Sequence, residues 1–188
     1  MRRRVYELNK VTAGDIPGRG PFYTFEEYEQ QRFGHAGYRA EGMFLALKGA
    51  EWVGLSQVSL HEQLAFNEMT GVLRQYRGQQ IAQALKLLAI RYAKAQGRPR
   101  ISTFNDAANL PILTINRKLG YQPDPMLASL SAYRRSKRPV NISSSVAWIN
   151  QWTNPRDLRK VPCGYAGLYI LYVGIKLGEN GALHLAAR

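Results

Sequence analysis

The spacing of apolar residues changes several times along the chain, and each change marks an element. Val5-Tyr6-Glu7-Leu8 alternates and predicts a short strand, followed by a Gly- and Pro-containing loop over residues 14–21. Thr24-Phe25-Glu26-Glu27 has capping-box spacing, in which the threonine hydroxyl and the third-following glutamate each satisfy a free amide. A helix is predicted from there to about Phe33, broken by Gly34 and Gly37. Apolar runs over residues 43–47 and 52–60, separated by Lys48-Gly49-Ala50-Glu51, read as a hairpin, and a third strand is predicted over residues 64–73. Ile81, Leu85, Leu88 and Tyr92 then recur at helical steps, with Lys86, Arg91 and Lys94 on other faces, up to Gly97. Residues 100–104 alternate as a strand. Asn105 or Asp106 is positioned to cap a further helix carrying Ile112, Ile115 and Leu119 on one face and stopping at Gly120.

One or two short strands are expected over residues 121–133. Strand, helix, three strands, helix, strand, helix is the order of an α/β fold with a mixed sheet. Beyond Arg138 the pattern dissolves into Ser143-Ser144-Ser145, two tryptophans and a glycine-interrupted aromatic run over residues 164–174. The chain therefore divides into a domain over residues 1–138 and a C-terminal extension over 139–188 to which the pattern assigns no fold. In that extension Tyr169 and Tyr172 stand at i, i+3 spacing, which reads as packing.

Composition narrows the partners. The chain of 188 residues has 26 Lys and Arg against 13 Asp and Glu, a formal charge of +13, so an anionic partner is expected. The basic residues gather at Arg2, Arg3 and Arg4, at Arg134, Arg135, Lys137 and Arg138, and at Arg156, Arg159 and Lys160. Cys163 is the single cysteine, which excludes an internal disulfide, a thiol metal cluster and a CxxC redox pair, and fits a cytoplasmic protein. No metal is expected. Charged residues interrupt the start of the chain where a signal peptide needs an apolar core, and the longest apolar run contains three glycines, so no membrane association is expected.

The junction Thr70-Gly-Val-Leu-Arg-Gln-Tyr-Arg-Gly-Gln-Gln-Ile-Ala82 runs from a strand almost directly into a helix. A helix start has backbone amides without internal acceptors and a positive dipole end, which suits a pyrophosphate. Gly78 permits close backbone approach, and Arg77 offers a charge-assisted contact. This segment resembles the acetyl-CoA signature of the GNAT acetyltransferase superfamily, Gln/Arg-x-x-Gly-x-Gly/Ala: Arg77 matches the first position and Ala82 the last, whereas Gln80 replaces the central glycine. Asn105 to Tyr121 is similar to the family's later strand-to-helix element, Asn-x-x-Ala-x-x-Leu-Tyr-x-x-x-Gly-Phe. Asn109 falls on its asparagine and Gly120-Tyr121 on Gly-Phe, while Asn116 replaces its tyrosine. The Asn-rich version is most similar to a bacterial branch in which such domains sometimes occur in tandem; one copy is present here.

The resemblance implies a mixed, mostly antiparallel sheet flanked by helices, and acetyl transfer from acetyl-CoA to a primary amine by direct attack in a ternary complex. It implies cofactor contacts at Val72, Leu73, Arg74, Arg77, Gly78, Gln79, Gln80, Ala82, Asn109 and Asn116, with the thioester carbonyl polarised by the amide of Val72 or Leu73. Glu68 is the candidate base, expected on the same sheet face as Val72. An asparagine amide is no general acid at neutral pH, so Asn116 is left a hydrogen-bonding role and Tyr121 becomes the alternative acid. His35 and His61 are candidate proton relays; Trp52, Tyr38 and Phe104 read as core or pocket wall. A small-molecule or peptidyl amine is the expected acceptor. A nucleic-acid-binding module without turnover, an enzyme acting on an RNA-bound amine, and a homodimer remain open.

Overall fold

The computed structural model describes residues 1–124, 145–151 and 168–172. Seven strands form one sheet in the order β5-β6-β4-β3-β2-β1-β7. They are β1 (Tyr38–Lys48), β2 (Glu51–Leu60), β3 (Ala65–Val72), β4 (Arg100–Asp106), β5 (Gln122–Pro123), β6 (Ser145–Gln151) and β7 (Leu168–Tyr172). β1, β2 and β3 are an antiparallel meander, and the hairpin turns where expected, with Gly49 at a positive φ of 58°. β3 pairs with β4 in parallel, and the remaining pairings are antiparallel.

The helices are α1 (Arg2–Ala13), α2 (Phe25–Tyr28) continuing as a π-helical turn (Glu29–Phe33), α3 (Ile81–Ala95) and α4 (Leu110–Lys118). The expected capping box at Thr24 is present in both directions. α3 and α4 cover one face of the sheet through Leu85, Ala89, Ile90 and Leu113, packed on Val53, Val58 and Ile101. Each such Leu or Ile stabilises the fold by roughly 1.5–3 kcal/mol relative to exposure. α1 and α2 cover the other face through Val5, Tyr6, Leu8 and Tyr28, packed on Met43, Leu45 and Leu55. α1 sits so close that a Cβ at Gly71 of β3 would lie 2.4 Å from Thr12 Oγ1.

Three expectations are corrected. Residues 5–8 are helical, not a strand: Val5, Tyr6, Leu8, Asn9, Thr12 and Ala13 are buried at helical spacing, a period that a four-residue window cannot reveal. The cap of α4 is Asn109, and Asp106 instead accepts a hydrogen bond from the Ala108 amide. The buried face of α4 centres on Leu113 and Asn116, with Ile112 and Leu119 at its margin.

Two strands from beyond Arg138 join the sheet. β6 pairs with β4 from Arg100↔Gln151 to Asp106↔Ser145, and β7 pairs with β1. Tyr169 and Tyr172 thus stand on a strand. Most of the segment expected as strand over residues 121–133, the basic clusters at Arg134–Arg138 and Arg156–Lys160, and Cys163 lie outside the described residues. Among the described residues no helix is long and apolar enough to cross a membrane.

Candidate active site

β3 and β4 are paired only at Ala65↔Ile101 and Phe66↔Ser102, and a bond from Thr103 Oγ1 to Asn67 O (3.0 Å) is a further link between them. Past that link the strands diverge and open a cleft of about 1380 Å³. One end of the cleft is the start of α3. Tyr76 and Arg77 amides bond back to Leu73 O and Arg74 O, and Ala84 N bonds to Gln80 O, the first turn of α3 closing on itself. The amides from Gly78 to Gln83 lie between these points, where a helix start offers donors without intrahelical acceptors. Gly78 and Gln80 both have left-handed backbone, with φ of 77° and 57°, and Gln80 is the one non-glycine residue with positive φ among the described residues. The glycine of the family signature is thus replaced at a position where an L-residue is strained by roughly 1–2 kcal/mol.

Arg77 and Arg74 are both engaged. The Arg77 guanidinium donates to Val72 O (3.1 Å) and to Asp15 Oδ2 (2.6 Å), and Arg74 donates to Asp15 Oδ1 (2.5 Å). The Arg74 bond first, and then that of Arg77, holds the Asp15 carboxyl below the usual carboxylate range. Asp15 lies in the loop after α1, whose Gly18 approaches the Asp106 carboxylate at the end of β4. The loop therefore crosses from one wall of the cleft to the other.

At the opposite end Glu68 is held by Arg32 Nη1 (2.7 Å) and Ser59 Oγ (2.6 Å), and its side chain is 18% exposed. The register of β2 and β3 jumps from Gln57↔Met69 to Val58↔Asn67, so Glu68 is the extra residue of a β-bulge. The bulge turns Glu68 toward Arg32 on the α1–α2 face, whereas Val72 packs in the α3 core. The shared face expected from two-residue alternation is not present. His61 Nε2 lies 3.2 Å from Ser59 Oγ, and the His35 and His61 rings meet edge to face at 5.4 Å. Arg19 lies against the Phe22 ring (4.7 Å) on the same side of the cleft, and burial lowers its pKa.

Glu68, Val72, Arg77, Gly78, Gln80, Ala82 and Asn109 line the cleft. Leu73, Arg74, Gln79, Asn116 and Tyr121 do not. The Leu73 amide bonds to Val53 O at 2.9 Å, so between the two amides considered, the alternation of the ladder leaves that of Val72 directed away from β2. Asn116 is fully buried and donates to Asn105 Oδ1 at 2.7 Å. Tyr121 is 2% exposed, its hydroxyl has no hydrogen-bond partner among the described residues, and burial pushes its pKa far up. Phe104 is on the cleft wall beside Phe66, Tyr38 packs on Phe33, and Trp52 lies under Arg4.

Pattern reading missed Asp15, Arg19 and Lys86. The pattern puts Lys86 on a face other than the apolar stripe of α3, yet it is 1% exposed and its Nζ donates to Asn67 Oδ1 at 2.8 Å. A lysine one position from Leu85 and Leu87, inside the apolar stretch of α3, was the available signal. The cluster at Arg2, Arg3 and Arg4 is largely used internally, each guanidinium lying over an aromatic ring, Phe33, Phe25 and Trp52.

Comparison with known proteins gives this cleft a context. Residues 3–121 match the model of the acetyltransferase (GNAT) family. A mycothiol acetyltransferase of Streptomyces scabiei is 33% identical over 103 residues, 52% of this chain and 33% of that protein. The chain thus spans about a third of the length of the curated relatives it matches. Among solved structures, the ribosomal-protein-S18-alanine N-acetyltransferase of Escherichia coli superposes with a TM-score of 0.59 at 11% identity, covering 82% of this chain and 91% of that one. The PaiA N-acetyltransferase of Thermoplasma acidophilum, solved with coenzyme A, superposes at 0.53 and 12% identity, covering 80% and 92%. The family match spans the meander, the splayed strands and the α3 start from which the cleft is built, and the chain belongs to the GNAT acetyltransferase family.

Proposed function

We propose that this protein transfers an acetyl group from acetyl-CoA to a primary amine by direct attack within a ternary complex. The observation that carries the reading is the dipole-positive start of α3, where Gly78 and residues 80–83 line a cleft between splayed strands and their amides have no intrahelical acceptors. Residues here fit a diphosphate: Gly78 offers a surface on which an added Cβ would meet nothing within 4 Å, and Arg77 is at hand for charge neutralisation. When bound, acetyl-CoA supplies an activated thioester.

The chain's own groups then position and polarise. The Val72 amide, directed away from β2, is placed to donate to a carbonyl lodged between the strands. Asn109, at the start of α4, lines the opposite wall, where an amide side chain suits the peptide-like arm of the cofactor. Glu68, held between Arg32 and Ser59, takes the proton released by the attacking amine. Orientation of the two reactants supplies the larger share, on the order of 7–11 kcal/mol. A cytoplasmic location suits this chemistry.

The test is thermal stability with acetyl-CoA, paired with free-thiol release across a panel of amines, amino acids, antibiotics, peptides and aminoacyl-RNA. Millimolar acetyl-CoA should raise the midpoint by mass action, and at least one amine should accelerate thiol release. No shift, together with tight and salt-sensitive RNA binding, would assign the fold to nucleic-acid binding instead.

A further inference from the structure

Among the described residues, every fully buried side chain in the α3 core is neutral except Lys86. Lys86 lines the cleft together with Asn67 and Thr103, where β3 and β4 separate, and its Nζ donates to Asn67 Oδ1 at 2.8 Å. Asn67 is fixed in turn by bonds to Ser56 Oγ, Gln57 O and Met69 O, so the acceptor that holds Lys86 is itself immobilised. The Tyr121 ring lies 4.8 Å from Nζ. Glu68, the nearest carboxylate in sequence on β3, is turned to the other face and paired with Arg32. A lone ammonium in such a place costs stability and is not explained by packing, because no carboxylate repays its desolvation.

Departure of the thiolate calls for a proton, and the expected donors are unsuitable. Asn116 is an amide directed at Asn105, and the Tyr121 hydroxyl is outside the cleft wall and made less acidic by burial. We propose that Lys86 is the general acid of the acetyl transfer, donating from the cleft floor to the leaving sulfur. Lys86 gives up one proton as the carbon–sulfur bond breaks and its electron pair moves to sulfur, forming the thiol. The attacking amine forms the carbon–nitrogen bond and loses its own proton to Glu68; after product leaves, Glu68 releases that proton to solvent and Lys86 takes one up from solvent. Net, one proton passes from amine to thiol. Desolvation alone lowers the Lys86 pKa from 10.5 to about 7, which poises the group to donate and recover a proton near neutrality. This inference rests on acetyl-CoA occupying the cleft.

The test combines a titration with kinetics. In the wild-type protein without substrate, the Lys86 side chain followed by NMR should titrate near neutral pH. Stability to unfolding should rise between about pH 7 and 10.5, because the unfolded chain holds that proton and the folded one does not. Lys86→Met should abolish that slope. With hydroxylamine as acceptor, the substitution should lower kcat for acetyl-CoA by ~10²-fold with KM for acetyl-CoA unchanged. The wild-type fall of kcat above neutral pH should vanish with it. An aryl thioester, whose thiolate departs without help, should largely erase the difference between the two proteins. Should Lys86→Met fold poorly, Lys86→Gln takes its place, and the wild-type titration stands independently. An ordinary lysine titration near 10.5, or an equal defect with both donors, overturns the role. Acetyl-CoA binding with unchanged kcat in Lys86→Met rejects this inference alone, whereas no binding to the wild type rejects the proposed function and this role with it.

Discussion

The two ends of the cleft are built from different materials. At the start of α3 the groups proposed to bind the cofactor are backbone amides, and their direction follows from where the helix begins. Elsewhere in the cleft the groups are side chains from distant elements: Glu68 held by Arg32 and Ser59 on one face of the sheet, and Lys86 held by Asn67 on the other. A site of the first kind should keep its donors through most side-chain exchanges, because amides are common to all residues but proline. The second depends on a single bulge: without the extra residue in β3, Glu68 would not meet Arg32. Under the proposed function, binding is thus carried by secondary structure and proton handling by tertiary placement.

The largest effect expected from breaking that contrast is at Glu68. Glu68→Gln keeps the bond from Ser59 but removes the proton acceptor, so turnover with an ordinary protonatable amine should fall ~10²- to 10⁴-fold. Binding of acetyl-CoA, carried by the far end, should hardly change. A pH profile of kcat/KM that keeps its wild-type shape in the variant would remove Glu68 from the mechanism.

The same contrast explains what was legible in the sequence. The hairpin around Gly49, the α3 stripe of Ile81, Leu85 and Tyr92, and the α3 start at Arg77 to Ala82 all depend on neighbours a few residues apart, and they stand where the pattern placed them. α1 was misread because four alternating residues fit either period, and only Thr12 and Ala13, a turn or more later, decide it. β6 and β7 were invisible because their strand character comes from pairing with β4 and β1, far away in the chain. The burial of Lys86 and the turn of Glu68 follow from the packing of α3 and from a register shift, neither of which leaves a local periodicity.

An intermediate effect is expected at Asp15, where the two ends of the site are linked by the loop after α1. Its carboxylate occupies Arg74 and Arg77 together, so an incoming diphosphate must compete with it for Arg77. Asp15→Asn should tighten acetyl-CoA about two- to fivefold, consistent with the modest strength of exposed ion pairs. The gain should shrink as salt screens the arginines. Because the two arginines keep the Asp15 carboxyl ionised below its usual range, wild-type competition should weaken only in acid. Titration calorimetry at two salt concentrations reads this directly; weaker binding in Asp15→Asn would mean that the carboxylate orients Arg77 rather than opposing the ligand.

The smallest effect sharpens the backbone half of the comparison. Gln80 holds φ at 57° with no side-chain cap, so its amide is presented correctly at the expense of strain. Glycine adopts that conformation freely, although it loses more freedom on folding, which leaves a net stabilisation of about 1 kcal/mol. In a chain of this size that is roughly 2–4 °C in Tm. Removing the side chain also opens the approach to the amides from Gly78 to Gln83, so Gln80→Gly should bind acetyl-CoA more tightly while leaving the pH profile untouched. A protein that becomes more stable yet binds less well would show that the Gln80 side chain itself holds the ligand, and the rule that this end works through backbone alone would fail at its centre.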